Sequence, residues 1–218
     1  MDGRERPRRP AILDNKDAEL IWGDSDPALS SEAAHSTANA VLYGPSHLAE
    51  DERLAERVGA IIDAEGLDEI AGLWSRSPAT TLPGALWRLY LLRAWLERDP
   101  DTITMRFRAG TAESAPSAVR EPNVDDGQRD AVVAPQPPVL DEVLAQLFAG
   151  TSEVALADVL EQSAAFLRVL ADGAEADPRW HTHDDAAAQP VTRRPDALVA
   201  TAHELQQAAA RARAGTLD

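Results

Sequence analysis

Apolar residues along this chain recur at three- and four-residue intervals, in runs bounded by Gly, Pro and capping polar residues, and that pattern predicts helices. The densest run, Leu82 to Leu96, places apolar side chains around most of a helix circumference, as expected of a helix packed on several sides. Pro83 suits its first turn, where a missing N–H breaks no hydrogen bond. Upstream, Ile12, Leu13, Leu20, Ile21 and Trp22 precede Gly23, and Asp26-Pro27 opens a helix that can continue to Tyr43 before Gly44-Pro45 ends it. Ala49 to Glu65 carries Leu54, Val58, Ile61 and Ile62 at helical spacing, with Gly66 placed as a left-handed C-terminal cap. After Asp99-Pro100, residues 101–109 can form a short helix.

The later part of the chain repeats the theme. Leu140, Val143, Leu144, Leu147 and Phe148 form a stripe closed by Gly150. Thr151 or Ser152 is placed to cap a helix running to about Ala171, with Leu156, Leu160, Phe166, Leu167 and Leu170 facing the core. A last helix from about Asp196 to Ala212 sets Leu198, Ala202, Leu205, Ala209 and Ala212 at alternating four- and three-residue steps, a narrow seam for this body or for a partner helix. No stretch alternates long enough to read as a strand, so the expected fold is all-α, a bundle of about seven to nine helices.

Breaks in the pattern suggest how these helices are organised. Residues 1–10 hold four Arg and two Pro without an apolar anchor, the composition of a disordered basic tail. Residues 111–138 contain five Pro among small and charged residues and read as a flexible linker between an N-terminal helical body, 11–110, and a C-terminal one, 139–218. Within the second body, 173–192 is polar and reads as a mobile loop. The two bodies echo each other: Leu67-Asp68-Glu69 heads an apolar helical pair over 67–99, and Leu140-Asp141-Glu142 heads another over 140–172. Two related helical hairpins would bury their apolar faces by stacking.

Composition narrows function mainly by exclusion. Net charge is −16, from 37 acidic against 21 basic residues, and Lys16 is the only lysine. A body this acidic repels phosphate backbones, which argues against nucleic-acid binding through a broad basic face. Cysteine is absent, so disulfides, thiolate metal sites and cysteine nucleophiles are excluded. No apolar run approaches the roughly 20 residues of a spanning helix, so a cytoplasmic protein without membrane insertion is expected.

Candidate chemistry is sparse. His181, His183, Asp184 and Asp185 lie within five positions and offer imidazole and carboxylate ligands; an extended backbone would turn both imidazoles to one side, suiting zinc or manganese. That cluster supports an alternative reading as a small metal-dependent enzyme or metal-binding protein. Phosphate-cradling glycine loops, dinucleotide fingerprints, His-Glu-x-x-His and Gly-x-Ser-x-Gly are all missing. Arg88 and Arg93 interrupt the most apolar helix and, with the Leu198 and Leu205 seam, are candidate partner-binding residues. The sequence thus favours a non-enzymatic interaction protein that needs no cofactor.

Two segments carry a resemblance. Ala11 to Pro27, with Ala-Glu-Leu-Ile-Trp-Gly-Asp-Ser-Asp-Pro, and Leu82 to Pro100, with Leu-Trp-Arg-Leu-Tyr-Leu-Leu-Arg-Ala-Trp-Leu-Glu-Arg-Asp-Pro, resemble a conserved actinobacterial helical protein family of poorly defined function. The chain also resembles the ParJ-like proteins, which bind the chromosome-partitioning ATPase ParA and restrain its polymerisation. That resemblance implies a cytoplasmic, regulatory, partner-binding role in chromosome segregation and transfers no individual site residue.

Overall fold

The structure is a computed structural model that describes residues 27–43, 66–113, 132–176 and 194–218. The tail at 1–10, the helix expected over 49–65, residues 114–131 of the expected linker and residues 177–192 of the loop expected over 173–192 lie outside the described residues, while 173–176 belong to a helix. Among the described residues there are seven helices and no strand, an all-α bundle. They are α1 Pro27–Tyr43, α2 Leu67–Trp74, α3 Leu82–Arg98, α4 Pro100–Glu113, α5 Pro137–Phe148, α6 Leu156–Ala176 and α7 Pro195–Arg213.

The start of α3 follows from local chemistry. Thr81 is extended at the N-cap and its hydroxyl accepts the Gly84 N–H, while Pro83 occupies the first turn. Thr81 also donates to the Pro78 carbonyl, which folds the 75–81 connection down onto the helix. A Cβ on Gly84 would lie 1.9 Å from that carbonyl oxygen, so only glycine allows this fold-back. Gly66 has φ +87 and ψ 174 and stands at the N-cap of α2. This extended, positive-φ basin is essentially reserved for glycine, and it leads into the following helix instead of forming the left-handed cap expected of the preceding one.

Around α3 the bundle closes. α3 touches each of the other six helices and buries Leu82, Ala85, Leu86, Leu89, Leu92, Trp95 and Leu96. Aromatic rings knit the surrounding elements together: Trp74 of α2 stacks with Phe148 of α5 at 6.4 Å, and Tyr90 of α3 meets the Phe148 edge at 6.5 Å. Trp74 is fully buried, and its indole N–H donates to the Thr37 hydroxyl of α1 at 3.0 Å. Thr37 in turn donates to the Ala33 carbonyl, so the buried polar pair is satisfied.

The longest helix, α6, spans about 31 Å and packs along both α4 and α7. The α6–α7 contact consumes the Leu198, Ala202, Leu205 and Ala209 seam, all buried. The α4–α6 contact is tighter still. Cβ atoms built on Gly110 and Gly173 would lie 1.9 Å from the Val169 carbonyl oxygen and 2.0 Å from the Arg106 carbonyl oxygen, so these two backbones meet through a reciprocal glycine crossing. Phe107 and Phe166 stack beside it at 5.3 Å.

That crossing revises the expected layout. α4 runs through Gly110 to Glu113 instead of ending near residue 109, and α5 begins at Pro137, inside the stretch read as linker. The expected N-terminal and C-terminal bodies contribute to one contiguous cluster of buried residues, in which Ile103 and Phe107 join Phe166 and Leu170. α6 starts at Leu156, because Ser152 closes a local turn through its bond with the Val154 N–H, and the helix extends to Ala176. The 67–99 and 140–172 units are each a pair of helices in contact, with connections of equal length at 75–81 and 149–155.

Candidate functional site

Of the partner-binding candidates, Leu198 and Leu205 are 1% and 0% exposed. They face the α6–α7 contact and are unavailable to a partner, a correction that follows from the seam being used within the chain. Arg88 of α3 is held by the neighbouring helix and by its own: its Nε donates to Glu204 of α7 at 2.5 Å and one terminal nitrogen donates to the Gly84 carbonyl at 2.9 Å. Arg93 pairs with Glu97 one turn on, at 2.8 Å. The four residues therefore form no common surface: two are core and two are arginines held by carboxylates of this chain.

The metal-binding candidates His181, His183, Asp184 and Asp185 lie outside the described residues. Among the described residues no group of three or more His, Cys, Asp or Glu could hold a metal ion. Nor is any described helix long and apolar enough to cross a membrane.

A groove of about 520 Å³ runs between the end of α1, the start of α6 and the end of α7, lined by Tyr43, Leu156, Asp158, Ala212, Arg213 and Leu217 among others. It continues into a second hollow of about 310 Å³ through the shared residues Tyr43, Ala155 and Leu156. Its charged rim is internally matched. The Arg213 guanidinium donates to Glu161 and to Asp158, the latter at 3.1 Å, and those bonds raise its already high pKa. An arginine locked this way positions α7 against α6 and offers no proton at neutral pH.

One tyrosine is perturbed. Burial, then the hydrogen bond to Asp68 at 2.8 Å and that carboxylate's charge, push the Tyr90 phenol up to about 12. The phenol thus stays protonated and ties α3 to α2. It is the kind of perturbation a structural contact produces as readily as a catalytic one.

Exposed apolar side chains are the remaining feature. Leu29 and Tyr43 sit at opposite ends of α1, and Leu73, Met105 and Val199 on three further helices; single exposed apolar residues are normal for a protein surface. Val132, Val133 and Val139 are different, because all three fall within eight residues at the entrance to α5. The Pro-rich composition of 111–138 masked this in the sequence; its signal was the short run Ala131-Val132-Val133-Ala134. Comparison with family models, curated proteins and solved structures finds no match to this chain.

Proposed function

We propose that this chain is a non-enzymatic helical interaction protein that acts by binding another protein. The observation that carries the reading is the concentration of apolar side chains left in water at Val132, Val133 and Val139. The ionisable groups described above are engaged with one another, as in Arg88 with Glu204 and Arg213 with Asp158 and Glu161, which suits a scaffold better than a reaction centre. Among partners, the resemblance of the chain to the ParJ-like proteins favours a ParA-type chromosome-partitioning ATPase, with restraint of its polymerisation as the cytoplasmic, regulatory outcome.

The test mixes the full-length chain with a purified ParA-type ATPase and ATP and follows polymer by light scattering and sedimentation. A lower polymer signal together with a co-migrating complex is the expected result. No complex and unchanged polymer with the chain on the order of 10 μM would discard the ATPase as partner. The broader reading would fall if affinity purification of the tagged chain from its host also recovered no specific protein.

A further inference from the structure

Residues 132–136, at the entrance to α5, are neither helix nor strand, and their exposure recurs every three positions. Ala134 packs against the core and Pro137 is buried, three positions apart. Val133 and Gln136, also three apart, are exposed, while Val132 and Pro135 form the third row. Three residues per turn is the period of a polyproline II helix. The backbone agrees: Gln136 has φ −65 and ψ 150, the Pro135 ring fixes φ near the same value, and Ala134 stands before a proline, which disfavours the helical basin.

We infer that residues 132–136 are a pre-set polyproline II ligand, through which this chain docks on a protein partner bearing an aromatic-lined groove with a basic rim. The inference rests on the interaction reading above and names its surface. One row of the threefold helix anchors the segment to the bundle, leaving two rows for the partner. Val133 is 86% exposed and Val132 42%, and Val139 in the first turn of α5 is exposed as well. Because proline restricts this backbone before binding, little conformational freedom is lost on docking, which is the usual advantage of such ligands.

Charge specifies the rim. No Lys or Arg occurs between Asp130 and Leu167, whereas Asp141 and Glu142 follow the segment within two turns of α5. A groove flanked by Lys or Arg would be attracted, and an acidic one repelled.

The experiment places a photoreactive diazirine amino acid at position 133 of the full-length chain, expressed in its host. The control carries it at position 199, a half-exposed valine on α7. Position 133 should give an adduct with one protein other than this chain, mapping beside Trp, Tyr or Phe residues of a groove. Pro135→Gly, with helical circular dichroism unchanged, should lower the adduct yield by about tenfold or more. An adduct no stronger than at position 199, one to a second copy or to this chain itself, one on a surface without aromatic residues, or a yield indifferent to Pro135→Gly would overturn the inference. Capture from position 199 but not 133 would leave the interaction reading standing without this ligand; capture from neither would likewise overturn the ligand, and the affinity purification above decides the interaction reading separately.

Discussion

Gly173→Ala adds one methyl group where α4 and α6 cross. The new Cβ would lie 2.0 Å from the Arg106 carbonyl oxygen and 2.9 Å from its carbon, both backbone atoms of a packed helix. A carbon approaches a carbonyl oxygen no closer than about 3.3 Å, so the helix axes must part by about 1.3 Å. That displacement loosens the Phe107–Phe166 stack and the packing around Ile103 and Leu170. Overpacking commonly costs about 1–3 kcal/mol, and a rigid backbone neighbour places this site at the upper end. Alanine's better helix propensity returns about 1 kcal/mol, leaving a net loss of about 2 kcal/mol. For a chain of this size that corresponds to a Tm lower by about 4–8 °C. Gly72→Ala is the internal control, since a Cβ there meets nothing within 4 Å; it should gain about 0.5–1 kcal/mol from the same propensity term. Urea unfolding followed by circular dichroism at an unchanged m value reads both variants. If Gly173→Ala proves as stabilising as Gly72→Ala, the close crossing of α4 and α6 is wrong.

Thr37→Val keeps the shape of the side chain but strands the buried Trp74 indole N–H, so unfolding measurements should show a loss of about 1–3 kcal/mol. A neutral result would mean that water or another acceptor reaches that nitrogen. Tyr90 should ionise near pH 12 in a spectrophotometric titration, and Asp68→Ala should bring it back toward its ordinary value of 10.0. Because the folded-state pKa is raised, the stability contributed by the Tyr90–Asp68 contact is fully present below pH 10 and is lost as pH rises through 12. A titration of the Asp68→Ala protein indistinguishable from the parent would refute that coupling.

How much of this was legible beforehand varies from element to element. The start of α3 was readable from Pro83 and the dense apolar run, which act within one turn of each other, whereas the Thr81 cap emerged only with the structure. The burial of Leu198 and Leu205 was readable as a seam, but which surface it met was not, because a stripe of small apolar residues suits an internal helix and a partner helix equally. The extension of α4 past Gly110 was missed for a definite reason. Glycine is a helix breaker by propensity, and only the carbonyl of Val169 pressing against Gly110 shows why the residue is there. The exposed valines before α5 were hidden by the prolines around them, whose composition suggests a linker while their backbone restriction builds an ordered lead-in.

What the sequence determined by itself is therefore local: the all-α class, the prolines in the first turns of α1 and α3, and the apolar faces that must be covered. Periodicity and capping act over a few residues, so one chain is enough to read them. Only the tertiary structure decided that the segments on either side of residues 111–138 share one core, that Gly110 and Gly173 meet across 63 positions of sequence, and that Arg88 is held by Glu204. Those outcomes depend on which faces meet at closest packing, a choice made by the shapes of all the helices together and written in none of them separately.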